Sequence, residues 1–186
     1  MANFDTPLFA KKNRHRGLYV GKEQTVTGYL RVAAGGSIAL TDLIRAVPVG
    51  ENVRPIRIAI QAIHVSGTPA LTNPTFNVGV APLDGSTFTR PDGTQFPATP
   101  ADVDILSPAA ALDADKMFTD IEVPRPVLDA VSKYGPYAVT LQPAGAGAFS
   151  VAGGDIDLAV TVTFLGEAKT DGTVYSTYLN TKVKNA

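Results

Sequence analysis

Few residues in this sequence could carry chemistry. There are two histidines, His15 and His64, and no cysteine. Without thiolates the chain has neither a disulfide nor a cysteine-based zinc site. His15 sits within a cationic stretch and His64 follows an apolar strand-like run. A pair so distant in sequence forms a metal site only if the fold joins them, and a lone histidine near a strand end is ordinarily a surface or satisfied residue. Gly35-Gly36-Ser37 and Gly145-Ala146-Gly147 read as turns. Neither stands between a strand and a helix, as a phosphate-binding loop must. There is no nucleophile elbow and no zinc-protease helix. The expectation is a protein that is not an enzyme and needs no cofactor and no metal.

One acidic group has to be weighed against that. Asp102, Asp104, Asp113, Asp115, Asp120 and Glu122 fall close together in sequence. Close carboxylates can bind Ca²⁺ or act as an acid/base pair. Their spacing matches no EF-hand loop, because no Gly stands at the required bend. The simplest reading is a solvated acidic loop. A sharper one is that these carboxylates meet the basic residues of another copy.

Those basic residues are at the start of the chain. Residues 1–22 hold Lys11, Lys12, Arg14, Arg16 and Lys22 against Asp5 alone. Residues 23–166 hold eight Lys or Arg against fourteen Asp or Glu, and 167–186 hold three Lys against two acids. The chain divides into a basic N-terminal arm (1–22), an acidic body (23–166) and a C-terminal extension (167–186). The arm also carries Phe4, Leu8, Phe9, Leu18 and Tyr19, and disordered tails usually lack such anchors. Two readings stand beside each other: a frayed terminus, the default for any chain end, and a strap that docks on an acidic partner surface, which the anchors favour. The residues expected to make that contact are Phe4, Phe9, Lys11, Lys12, Arg14 and Arg16. A net charge of -1, with no aromatic set interleaved among the cations, argues against nucleic acid as the partner. No run of 18 apolar residues occurs, and Met1–Asp5 has no apolar signal core. The expectation is no membrane partner and no secretion signal.

The body must position whatever surface does the work. Its 45% hydrophobic share suits one packed core, and its 18% charged share is low enough to suggest a surface that meets other surfaces. Gln24 to Val32, Ser37 to Val47, Val53 to Val65, Thr75 to Val80, Tyr137 to Leu141 and Ile156 to Leu165 read as strands. In the last, Ile156, Leu158, Val160, Val162 and Phe164 alternate with Asp157, Ala159, Thr161, Thr163 and Leu165, which marks one buried face. In the third, Arg57 and Gln61 should keep one face partly wet. Pro and Gly clusters separate the runs. The one clear helix candidate is Pro108 to Leu112, with Ser107 as its cap, and Val127 to Lys133 suggests a second helical turn. The predicted fold is all-β: a β-sandwich or jelly roll with an extended N-terminal arm and at most one or two short helices.

Between residues 37 and 90 the sequence resembles a known type. Asp42 to Gly50 is followed by Val53-Arg54-Pro55-Ile56-Arg57-Ile58, then Phe76-Asn77-Val78-Gly79-Val80, then Asp84-Gly85-Ser86-Thr87-Phe88. This order is similar to small structural proteins of tailed bacteriophages, of the capsid decoration or cement type. The resemblance implies a virion protein, assembled in the host cytoplasm, that binds the major capsid protein as a homo-oligomer and stabilises the shell. The same fold would serve a tail or head-completion protein. A carbohydrate-binding β-sandwich would want exposed aromatics on a groove, and here Trp is absent and the tyrosines are scattered.

Overall fold

The computed structural model describes residues 3–7, 23–50, 53–82, 102–113, 117–127 and 137–166. Ten strands form: β1 (Asn3–Asp5), β2 (Glu23–Val32), β3 (Ser37–Ile38), β4 (Leu43–Val49), β5 (Val53–Thr72), β6 (Thr75–Pro82), β7 (Asp102–Ala111), β8 (Phe118–Glu122), β9 (Tyr137–Pro143) and β10 (Phe149–Gly166). They make two sheets, in the orders β1-β4-β9-β6-β7 and β2-β10-β5-β8, and β3 adds to β10. Apart from the parallel β1–β4 pair, all neighbours are antiparallel. From β2 onward the chain passes from one sheet to the other at nearly every connection, and only β6 and β7 are consecutive neighbours in one sheet. Two four-stranded antiparallel sheets wound in this way form a jelly roll. The all-β expectation holds.

The alternation read in β10 is the alternation observed. Ile156, Leu158, Val160, Val162 and Phe164 point into the sandwich and are buried. In β5, Ile58, Ile60 and Ala62 face inward while Arg57 and Gln61 are exposed, as the pattern required. A register shift opposite Ile56 changes the parity there, so Val53 and Pro55 join the inner face in its place. In β9 nearly every residue is buried, so both of its faces are covered, which fits its continuous apolar run. Phe76 of β6 and Phe149 of β10 meet across the core with ring centroids 5.1 Å apart and planes tilted by 55°.

Three sequence expectations need correction. Pro108 to Leu112 is not a helix; Pro108 to Ala111 lie in β7. A candidate helix of one turn has too few hydrogen bonds to outweigh its nucleation cost, whereas pairing with β6 supplies partners at once. Phe76 faces Ala110 and Val78 faces Ser107, so β7 carries one extra residue across this step. Pro108 sits in that bulge, where a missing N–H is tolerated, and Ala109 has a φ of 49° with its N–H donating to Asn77 Oδ1 at 3.0 Å. Ser37 to Val47 is two strands, one in each sheet. They are split by a turn in which Asp42 N–H donates to Ala39 O and Asp42 Oδ2 accepts from Ala39 N–H. β5 also runs well past Val65. A bulge in which Gly67 has a φ of 66° carries it on to Thr72. Of the second helical expectation, Val127 to Lys133, only Val127 is described, and it belongs to a single helical turn at residues 125–127.

Candidate functional site

The N-terminal anchor residues divide between described and undescribed. Phe4 lies in β1, where its backbone pairs in parallel with Ile44 at the edge of the β4 sheet. Phe9, Lys11, Lys12, Arg14 and Arg16 lie outside the described residues, as does His15. Beyond β1, Thr6 is fully buried; its N–H donates to Arg45 O at 3.2 Å and its hydroxyl to Ala46 O at 2.6 Å. The same carbonyl faces Gly28 of β2 so closely that a Cβ at Gly28 would overlap it. Glycine at this point lets β2 and β4 approach at the open side of the sandwich, and Thr6 fills the space beside them. Asn3 to Thr6 are therefore built into the edge of the fold.

Among the described residues the acidic group does not form a single cluster in space. Asp102 and Asp104 are on β7 at the edge of one sheet, while Asp120 and Glu122 are on β8 at the edge of the other. Asp113 belongs to the turn between them, its N–H donating to Phe118 O and its carbonyl accepting from Met117 N–H. Asp115 lies outside the described residues. No three His, Asp or Glu side chains among the described residues converge as metal ligands would. Asp120 instead takes a two-pronged hydrogen bond from Arg57, with Nε 2.8 and 2.9 Å from its two oxygens and Nη2 also in contact. That bond holds the Asp120 carboxyl below the usual carboxylate range and raises the Arg57 guanidinium. His64 Nε2 donates to Gly67 O at 2.6 Å, a local contact within its own strand.

The outer face of the β2-β10-β5-β8 sheet is organised in rows by the register. Arg31 faces Asp157, with Nε and Nη2 on the two carboxylate oxygens at 2.5 and 3.0 Å. Tyr29, Ala159, Gln61 and Phe118 follow in the next row, with Tyr29 48% exposed. Thr27 and Thr161 then pair hydroxyls at 2.9 Å, and Thr25 and Thr163 at 3.2 Å. Arg31 and Arg57 on this face are each matched to a carboxylate of the same sheet, so their charge is used internally.

A second region went unread in the sequence. The segments 32–41, 58–83 and 134–154 contain no Asp, Glu, Lys or Arg. The fold gathers parts of all three at one end of the sandwich. Here β3 and the second half of β5 flank the first half of β10. Leu40 and Val65, two of the three exposed large hydrophobic residues described, belong to this end.

The jelly roll has a counterpart among solved structures. A chain of the structure described as the capsid of Ralstonia phage GP4 matches with a TM-score of 0.59 and 13% identity, over 90% of this chain and 100% of that one. A chain of the cyanophage Pam1 capsid asymmetric unit gives a TM-score of 0.42 at 16% identity, over 84% and 94% of the two chains, and carries no weight beside the first. No protein-family model matches the chain. No curated protein matches it either. What the likeness to the first chain shows, at 13% identity, is a shared fold that runs the whole length of that chain.

Proposed function

We propose that this chain is a structural protein of a bacteriophage particle, and that it works as a decoration or cement protein on the assembled shell. The observation that carries the reading is the end-to-end fold likeness to a chain of a phage capsid structure, with that chain covered completely. The site chemistry agrees with it. The described residues offer paired charges, a threonine ladder and a neutral end, which are features of a surface that docks.

In this reading the partner is the major capsid protein and no reaction is required. A protein that binds only the assembled lattice stabilises it by mass action. Repetition over many equivalent positions adds avidity. The basic segment with Phe9, Lys11, Lys12, Arg14 and Arg16 is the strap, and Thr6 anchors its root in the sandwich edge. Burying the Phe9 ring contributes roughly 1.5–3 kcal/mol. Ordering residues 8–22 costs on the order of 15 kcal/mol or more. Apolar anchors alone therefore do not hold a strap of this length. Backbone hydrogen bonds to a neighbour's sheet edge supply the remainder.

The test is binding of the purified full chain to undecorated shells. Attachment to assembled shells, with none to free capsid subunits, is the expected result. Reversing Lys11, Lys12, Arg14 and Arg16 to Glu should weaken attachment at least tenfold while leaving the circular dichroism spectrum unchanged. Equal binding by this variant would remove the strap from the proposal. Absence of any attachment would remove the decoration role.

A further inference from the structure

We infer that the basic segment is held by the sandwich at both of its ends, as a closed loop and not as a free arm, and that the surface taking its cations lies directly against the rim where those ends are fixed. The inference rests on the strap reading above and deepens it. An arm and a loop carry the same cations but reach different places.

Both fixed ends are described residues. At the first, Asn3, Phe4 and Asp5 pair in parallel with Leu43, Ile44 and Arg45. Thr6 completes the junction. It is fully buried, its N–H donates to Arg45 O at 3.2 Å, and its hydroxyl donates to Ala46 O at 2.6 Å. A Cβ at Gly28 would overlap Ala46 O and stand 3.1 Å from Thr6 Oγ1, so β2, β4 and Thr6 meet with no room to spare. Releasing Thr6 would strip Ala46 O of this bond and leave a gap beside Gly28, so the junction resists opening as a frayed terminus does not.

The second end is Glu23, the first residue of β2, opposite Leu165 of β10. From there β2 runs to Val32 in unbroken register with β10. Gly28, which marks the Thr6 junction, is five residues along the same strand. The two ends therefore stand about 17 Å apart on one rim.

Lys11, Lys12, Arg14, Arg16 and Lys22 all fall between Thr6 and Glu23. Chain length then limits where they go. With Thr6 fixed, Lys11 stays within about 17 Å of the junction, since an extended chain spans at most about 3.4 Å per residue. On an arm rooted at Glu23 alone, Lys11 would range to about 40 Å. The acidic surface that these cations meet is thus one that the β2–β4 rim itself rests on, not one further across the lattice. Closure also lowers the ordering cost of docking, because a segment fixed at both ends has fewer conformations to lose.

A specific protease site inserted between Pro7 and Leu8 tests this, because it opens the loop after the chain has folded and leaves every cation joined to the body through Glu23. Cut and uncut forms are compared for attachment to undecorated shells, with circular dichroism confirming that both are folded. Cutting should weaken attachment at least tenfold. A second variant, Asp5→Cys with Arg45→Cys, joins register partners on adjacent strands, at a separation that a disulfide spans, in a chain with no other cysteine. Its oxidised form should attach as tightly as its reduced form. If cutting unfolds the first variant, the same cut in the oxidised disulfide form keeps residues 1–7 on β4 and gives the readout. In the unbound chain the Thr6 amide should exchange with solvent at least a hundredfold more slowly than an open amide. Equal attachment by cut and uncut forms overturns the inference. So does loss of attachment on oxidation, or a Thr6 amide that exchanges freely. Failure of the strap reading shows differently, as attachment that reversing Lys11, Lys12, Arg14 and Arg16 to Glu leaves unchanged.

Discussion

β5 and β10 run side by side through two regions that solve the same problem differently. In the half from Val53 to Gln61 the outer face is tied by Arg57–Asp120, with the Thr25–Thr163 and Thr27–Thr161 pairs across the neighbouring β2–β10 rows. In the half from His64 to Thr72 there is no charged side chain, and β5 itself is exposed over most of its length. The inner face of the first half buries Ile58 and Ile60 fully. The second half is more exposed, and its ordering comes from β10 on one side, where Phe149 and Val151 are buried in the core, with β3 beyond, and from the β5–β6 turn. One pair of strands is thus a wall of the sandwich at one end and an uncharged ribbon at the other. The wall pairs Arg31 and Arg57 with carboxylates of its own sheet. The ribbon carries no charged side chain from His64 to Thr72.

The junction between the halves is the place where the comparison breaks most readily. Gly67 and Gly153 both hold positive φ, at 66° and 74°, and a Cβ on Gly154 would overlap Ser66 O and lie 3.0 Å from Thr68 N. All of these contacts are backbone, which cannot rotate away. Gly154→Val is expected to cost about 3 kcal/mol or more, read as a lower urea midpoint. Ala152→Val, two residues away and exposed, should change stability by less than about 0.5 kcal/mol. Similar small effects for both would mean that the bulge is not what fixes the ribbon to the wall.

A smaller effect sharpens the account of the wall. Thr27 and Thr161 lie opposite each other with hydroxyls in contact, partly buried. Thr27→Val or Thr161→Val alone should cost about 0.5–1 kcal/mol, because one hydroxyl loses its partner. The double variant should recover most of that loss, since paired valines suit a strand surface. A double-mutant cycle with a coupling near zero would make the ladder incidental and leave the ion pairs and the backbone register as the organising features.

Much of the wall was legible in the sequence, and the ribbon was not. β2, β10 and the first half of β5 alternate cleanly because one face is buried and the other wet, and that contrast writes itself into residue type. The ribbon has no such contrast. His64 to Thr72 is exposed over most of its length, so its polarity carries no period, and Gly67 with Pro69 looks like a turn. β7 was misread because Pro108 followed by three alanines resembles a helix start, and nothing local reveals that β6 waits as a partner. The acidic residues from Asp102 to Glu122 looked like a cluster because sequence distance hides the crossing between sheets. The neutral end did have a signal, in that no formal charge occurs from Ile58 to Leu83. It is read as an absence, which searches for motifs pass over. Of the arm residues, the backbone of Phe4 is placed at a sheet edge, and the rest lie outside the described residues.

The smallest expected effect separates how each half uses a carboxylate. Asp120, in the wall, is held below the usual carboxylate range chiefly by its hydrogen bond from Arg57. Asp155, at the root of the ribbon, is held below it chiefly by the Ala34 N–H and then by Ser66. In both, the folded-state value lies below that of the unfolded chain, about 3.9 for Asp. The stabilisation is therefore complete above that pH and is lost as pH falls through the lower, folded value. Arg57 is raised and stays charged throughout this window, so it adds no pH dependence of its own. Asp120→Asn and Asp155→Asn should each lower the melting temperature slightly from pH 6 to 8, and each difference from the parent should shrink below about pH 4. Salt then tells them apart. The Arg57–Asp120 pair is exposed and its attraction is screened, so the Asp120→Asn effect should fall as salt is raised at pH 7. The Asp155 carboxylate acts on neutral backbone and hydroxyl groups, so its effect should persist. If both effects fade equally with salt, Asp155 is held by Arg31 and the general field of the sheet. The ribbon would then be anchored by charge as the wall is, and the distinction between the two halves would fail at its root.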